Sequence, residues 1–180
     1  LAAQTESIRV GSGGVMLMHY SPYKVAENFR LLESLFPNRI DLGLGRAPGS
    51  DAYQAGALAY GSKTTGPEFF VTKMNDLKSF LEGSVSSTES FESVNVTPGL
   101  GELPEVWLLV SSRQGAEYAA HFGLPMSLAY FIDEDEISFY GLHWDLQQYR
   151  RSRELGYTGY PLKPYPKPQN RRYNTPKYLL

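Results

Sequence analysis

The run from Ile8 to Gly49, IRVGSGGVMLMHYSPYKVAENFRLLESLFPNRIDLGLGRAPG, limits what this chain can fold into more than any other part of it. Ile8, Val10, Val15 and Leu17 bracket a strand that contains Gly-Ser-Gly-Gly. Ser21-Pro22 then marks a helix start, with serine at the N-cap and proline at the first helical position. Val25, Phe29, Leu32 and Leu35/Phe36 recur at three- to four-residue spacing, which predicts an amphipathic helix of about four turns. Pro37-Asn38 ends it. Arg39 to Arg46 alternates Ile40, Leu42 and Leu44 with Asp41, Gly43 and Gly45, a strand with one bulky face and one small face. Strand, helix, strand, with the unusual residues placed where strands finish, is how parallel α/β enzymes present chemistry.

The remaining sequence extends the same pattern. Residues 47–67 are rich in Gly, Ala, Ser and Thr, a long loop with a short helix around Ala52–Ala59. Phe69 to Leu81 reads as a helix with Phe70, Met74, Leu77 and Leu81 on one side. Residues 83–103 are polar and broken by Ser, Gly and Pro, an excursion with room for a short hairpin. Val106-Trp107-Leu108-Leu109-Val110 is a continuous apolar run, the pattern of a strand covered on both faces. Ser111-Ser112 opens a helix through Ala116, Ala119 and Ala120 that stops at Gly123. Pro125 to Ile132 reads as a fourth strand. About four parallel strands with intervening helices predict a partial (β/α)8 TIM barrel, since a complete one takes about 250 residues.

Bulk properties narrow the class. The chain has 180 residues with 42% hydrophobic and 20% charged content, which suits a packed soluble domain. No apolar run approaches the roughly 20 residues of a membrane span, and the start lacks a signal-peptide pattern. There are no cysteines, which excludes disulfides and thiolate metal sites and is compatible with a cytoplasmic location. Asn95-Val96-Thr97 matches a glycosylation acceptor, read as chance without a secretory signal. The net charge of −2 conceals a reversal: residues 1–142 hold 9 Lys/Arg against 17 Asp/Glu, and residues 143–180 hold 8 against 2. Six of the 13 tyrosines and five of the 12 prolines also lie in that last segment. A break this sharp marks a boundary, and the chain is read as a barrel domain, 1–136, followed by a basic Tyr/Pro-rich tail, 137–180. The first residue is not Met, and the chain reads as a piece of something longer.

Arg46 follows Gly45 at a strand end. Its guanidinium fork suits a phosphate or carboxylate, or it is an ordinary surface arginine. Ser111-Ser112-Arg113-Gln114-Gly115 lies where a strand turns into a helix. Free amides and the helix dipole suit an anion there, although plain N-capping produces the same pattern. Both features fall on the rim formed by strand C-termini, so each supports the other. Gly13-Gly14 interrupts its strand either as a bulge or to admit a flat ligand. His19 is a conceivable proton donor or a surface residue, His121 a structural one, and Asp41 either a buried hydrogen-bonding carboxylate or a solvated one. The basic, tyrosine-rich tail has the composition of a phosphate- and base-binding segment. With no nucleic-acid motif and an acidic remainder, no nucleic-acid partner is expected. Asp133–Glu136 reads as a solvated turn, and no metal site is expected.

The segments AAQTESIRVGSGGVML, SPYKVAENFRLLESLFPNRIDLGLGRAPGSD, PGLGELPEVWLLVSS and EYAAHFGLP resemble the bacterial luciferase-like, flavin-dependent monooxygenases, over roughly residues 1–132. The resemblance implies a (β/α)8 barrel that binds reduced FMN, supplied by a flavin reductase, at the strand C-termini. With O2 it would oxidise an aldehyde-like or other small organic substrate. The resemblance also implies that Gly13 and Gly14 face the flavin ring across a non-prolyl cis peptide, and that Arg46, Ser111 and Ser112 hold the phosphate. It is compatible with a homodimer.

Departures accompany it. The first two barrel strands, with their acidic-histidine-histidine motif, and the strands after Ile132 are not in this chain. Met18 stands where proline is common and Val110 where glycine is. No catalytic acid or base is identified, and after about Glu136 the resemblance fades, as a shifted frame or truncated gene would produce. The expectation is an FMN-dependent monooxygenase present as a fragment. The alternatives are a non-catalytic flavin-binding protein on a shortened barrel and an inactive truncated fragment.

Overall fold

The computed structural model describes residues 1–129, apart from 48, 50, 85–90, 92 and 100. The expected strand residues 130–132, the acidic cluster Asp133–Glu136 and the tail 137–180 lie outside the described residues.

Among the described residues five strands form one parallel sheet: β1 (Val10–Gly11), β2 (Val15–Met16), β3 (Ile40–Gly45), β4 (Glu105–Val110) and β5 (Met126–Leu128). Four helices accompany them: α1 (Pro22–Leu35), α2 (Ala52–Ala59), α3 (Phe70–Glu82) and α4 (Arg113–Phe122). β1 and β2 both pair with β3, so they are one strand interrupted at Ser12-Gly13-Gly14. The order across the sheet then follows the order in the chain, β1/β2, β3, β4, β5. That is the single winding of a β/α barrel and not the reversal of a doubly wound sheet. The chain forms the expected partial barrel, a curled half of one.

The interruption has a steric cause. A Cβ at Gly14 would lie 2.8 Å from the Gly43 carbonyl oxygen, and one at Gly43 would collide with the Ser12 carbonyl. The two backbones therefore pass at contact distance, which only glycine allows. Ser12 Oγ donates to the Gly43 carbonyl at 2.8 Å, and the Gly13–Gly14 peptide is cis, where the resemblance places it.

The alternation read along β3 sorts its faces. Ile40, Leu42 and Leu44 are buried beneath the helices with Leu108 and Val110 of β4. Val25 and Ala26 of α1, Phe70, Met74, Leu77 and Leu81 of α3, and Tyr118 and Phe122 of α4 complete this layer. The small face turns the other way. Asp41, Gly43, Trp107, Leu109 and Ser127 line the inner hollow with Gly11, Ser12 and Gly13, about 350 Å³ in volume.

Two expectations are corrected by this arrangement. β4 is not covered on both faces: Leu108 and Val110 are buried, but Trp107 and Leu109 are half-exposed toward the hollow. The inner face of a barrel strand is covered only by the strands opposite. The stripe on α1 is also partly misassigned. Val25 is buried, yet Leu32 and Leu35 are exposed, and the buried positions of the later turns are Arg30 and Glu33. Leu32, Phe29 and Phe36 instead flank an open apolar hollow beside β1, the edge of the sheet. Ser21 occupies the N-cap of α1 without a side-chain capping bond, while Pro22 holds the first position as expected.

Buried polar groups tie the connections together. The Glu33 carboxylate accepts from the backbone N–H of Asn38 and of Ile40, closing the turn into β3. Arg30 Nη1 donates to the carbonyls of Phe80 and Leu81, each at 3.2 Å, satisfying the end of α3. Asp51 caps α2, as its side chain accepts from Tyr53 and Gln54 N–H at 2.8 and 2.9 Å.

Candidate functional site at the strand C-termini

β3 and β4 run side by side with Leu44 opposite Leu108, so their C-terminal ends emerge together. Arg46 leaves β3 where α4 begins. Ser112 is the N-cap of α4, and its hydroxyl accepts from the Gly115 N–H at 3.4 Å. Gly115 makes this close start possible, because a Cβ there would lie 2.9 Å from Val110. The plain capping reading of Ser112 is thus fulfilled. It does not exclude an anion, since an α-helix leaves its first four N–H groups without intrahelical partners.

The half-buried Arg46 guanidinium donates to Gln114 Oε1 on the first turn of α4. It also lies 5.6 Å from the centre of the Tyr118 ring, which packs against Phe70 at 5.0 Å. Gln114 Nε2 in turn approaches the Tyr118 hydroxyl at 3.4 Å. Among the described residues Arg46 makes no ion pair.

Three of the expected positions, Arg46, Ser111 and Ser112, therefore meet on one rim. Gly13 and Gly14 lie on the same sheet, lower down. Val15 is opposite Leu44, which puts Gly14 near the level of Gly43, three residues before Arg46. At about 3.3 Å per residue the separation along the strand is roughly 10 Å. No atom lies within 4 Å of a Cβ built on Gly13, so that glycine borders open space. An anion-suited rim lies at one end of this surface and bare backbone at the other.

The neighbouring groups settle into other roles. Asp41 accepts from Arg9 Nε at 3.2 Å at the opposite end of the sheet, so it is a paired carboxylate away from the rim. His121 packs edge-on against Phe122, and His19 is half-buried in the single turn Leu17–His19. Sequence reasoning missed Lys73. Its buried ammonium donates to the carbonyls of Met18 at 2.9 Å, Tyr20 at 3.2 Å and Leu17 at 3.4 Å. Burial pushes its pKa below the usual lysine value. The available signal was a lysine lodged inside the apolar stripe Phe70, Met74, Leu77. Among the described residues no group of three or more His, Cys, Asp or Glu side chains could hold a metal, and no helix is long and apolar enough to cross a membrane.

The model of the luciferase-like monooxygenase family matches residues 1–161. The chain belongs to the luciferase-like monooxygenase family. It is 38% identical over 161 residues to a luciferase-like monooxygenase of Escherichia coli, covering 86% of this chain and 44% of that protein. It is 41% identical over 136 residues to the N-acetyl-S-alkylcysteine monooxygenase of Bacillus subtilis, covering 76% of this chain and 40% of that one. The crystal structure of apo-MsnO8 superposes with a TM-score of 0.69 at 36% identity, covering 93% of this chain and 46% of the other. This member of the family therefore spans less than half the length of these relatives. A stretch of 54 residues, 30% of the chain, is 94% identical to 8% of the DNA-directed RNA polymerase subunit beta' of Phaeodactylum tricornutum.

Proposed function

We propose that this chain is part of an FMN-dependent monooxygenase, with the flavin phosphate on the rim and the flavin ring over Gly13-Gly14. The observation that carries the reading is Arg46, with no ion pair among the described residues, beside the Ser112-capped start of α4. The residues present fit such a ligand. Arg46 offers a guanidinium fork to a dianion, Ser111 and Ser112 offer hydroxyl and backbone donors, and the helix dipole favours negative charge at that point. The roughly 10 Å from rim to bare glycine backbone suits a ligand with an anionic tail and a flat head. Bound reduced flavin would supply the electrons for O2, with a reductase as their source and a small organic molecule, aldehyde-like in the simplest case, as substrate. Gly13 keeps side chains out of the ring's place, and Trp107 and Leu109 give the hollow an apolar wall. No described residue is assigned as acid or base.

Titration of the 180-residue chain with FMN and with riboflavin tests this directly. FMN should bind at least about tenfold more tightly, and Arg46→Ala should abolish the preference. Equal affinities in the unmodified chain would sink the reading.

The half-open inner face favours a second reading, that this piece binds flavin without turning over substrate, or is inactive. Yellow flavin bound one-to-one, with no oxygen-dependent loss of an aldehyde, would select the first of these. The barrel domain is 1–136 in this reading, and the tail 137–180, where charge reverses and tyrosines crowd, is 44 residues long, shorter than the 54-residue polymerase-like stretch. No nucleic-acid or membrane partner is assigned to the barrel part, and a cytoplasmic location and a homodimer remain part of the same proposal. Chain ending at residue 136 should keep the FMN preference of the full chain.

A further inference from the structure

Among the described residues the rim arginine is held by neutral groups only. Gln114 takes a guanidinium N–H on its side-chain oxygen, the Tyr118 ring lies beside the guanidinium, and Gln114 Nε2 reaches the Tyr118 hydroxyl. Gln114 and Tyr118 are four residues apart on α4, so one helix face carries both. Phe70 of α3 backs the tyrosine ring. A free arginine samples many rotamers, and each must be given up when a ligand is gripped. Here that loss is already incurred in folding, while the remaining N–H groups keep their full charge. A carboxylate in place of Gln114 would hold the arginine as firmly but cancel the charge that an anion needs.

We propose that Gln114 and Tyr118 are positioning residues that fix Arg46 over the first turn of α4 and so set the discrimination between phosphorylated and unphosphorylated flavin. The inference rests on the flavin reading above. It adds that the selectivity of the rim belongs to α4 as much as to β3.

The test is a set of double-mutant cycles in the full chain, with FMN and riboflavin as paired probes. Gln114→Glu should lower FMN affinity about tenfold or more and leave riboflavin affinity unchanged. Tyr118→Leu should lower FMN affinity about threefold to tenfold, and Tyr118→Phe, which keeps the ring, much less. In an Arg46→Ala background none of these substitutions should change FMN affinity further. Equal losses with and without Arg46, or equal losses for both flavins, would overturn the positioning role while leaving the flavin reading intact. An unmodified chain that binds the two flavins alike would overturn both.

Discussion

Two arginines bracket β3, and the contrast between them separates the two ends of this sheet. Arg39, just before the strand, uses its whole guanidinium. It donates to the carbonyls of Ala2, Thr5 and Ile8 and to the Thr5 hydroxyl, at 2.7 to 3.2 Å. Arg46, just after the strand, makes a single described hydrogen bond, to Gln114. Nearby at the lower end, Arg9 is likewise committed, to Asp41, Glu105 and the Asn38 carbonyl. The same residue type thus closes the structure at one end and, among the described residues, keeps spare donors at the other. In β/α barrels the N-terminal face carries stability and the C-terminal face chemistry. Among the described residues the bonding of the two arginines differs in the same sense.

The comparison can be broken most easily at Arg39. Arg39→Ala should cost about 3 kcal/mol in urea unfolding, because it frees residues 1–8 and strips several carbonyls of a charged donor. The ratio of FMN to riboflavin affinity should not move. Arg46→Ala should do the reverse, weakening FMN by roughly thirtyfold, about 2 kcal/mol, with stability within about 0.5 kcal/mol of the parent. Should both substitutions destabilise alike and leave binding alone, the two ends would be equivalent and the contrast false. Ser112 sharpens the point. Ser112→Ala should cost about 1 kcal/mol of stability through the lost cap. Ser112→Asp should keep the cap but set a carboxylate beside Arg46, so that stability holds while FMN affinity falls.

The smallest effect concerns Glu117, one turn along α4. Burial raises its carboxyl pKa above the usual 4.5, and Arg113, 3.9 Å away, opposes the shift. The folded state therefore holds this proton more tightly than the unfolded chain does. That contribution to stability is complete below about pH 4.5 and is lost as pH rises through the folded value. Glu117→Gln should flatten this decline, measured as the difference between variant and parent in unfolding free energy across pH 4 to 7. FMN preference should be unaltered, since the side chain is paired with Arg113 and not with Arg46.

Much of this was legible before any coordinates. The two faces of β3, the stop of α4 at Gly123 and the helix 52–59 follow from local rules about alternation, capping and glycine. The interruption at Gly13-Gly14 was legible too, because glycines inside a strand have few other uses. Less legible were charged residues buried for the sake of connections. Glu33 and Arg30 sit inside a helix whose periodicity suggested Leu32 and Leu35 as the buried residues. Their partners, at the turn into β3 and at the end of α3, are set by how the helices cross. Lys73 was missed for the same reason, as its acceptors lie more than fifty residues away.

The amino-acid sequence alone determined the succession of strand and helix in this protein, because period, caps and glycines act over a few residues. It also confined any anion site to the strand ends, where arginine and serine occur together. Only the tertiary structure decided which arginine is fully bonded and which makes a single hydrogen bond among the described residues. That depends on contacts between segments 31 to 68 residues apart, from Ile8 to Arg39 and from Arg46 to Gln114, and no local pattern encodes what a packed sheet brings within hydrogen-bond reach.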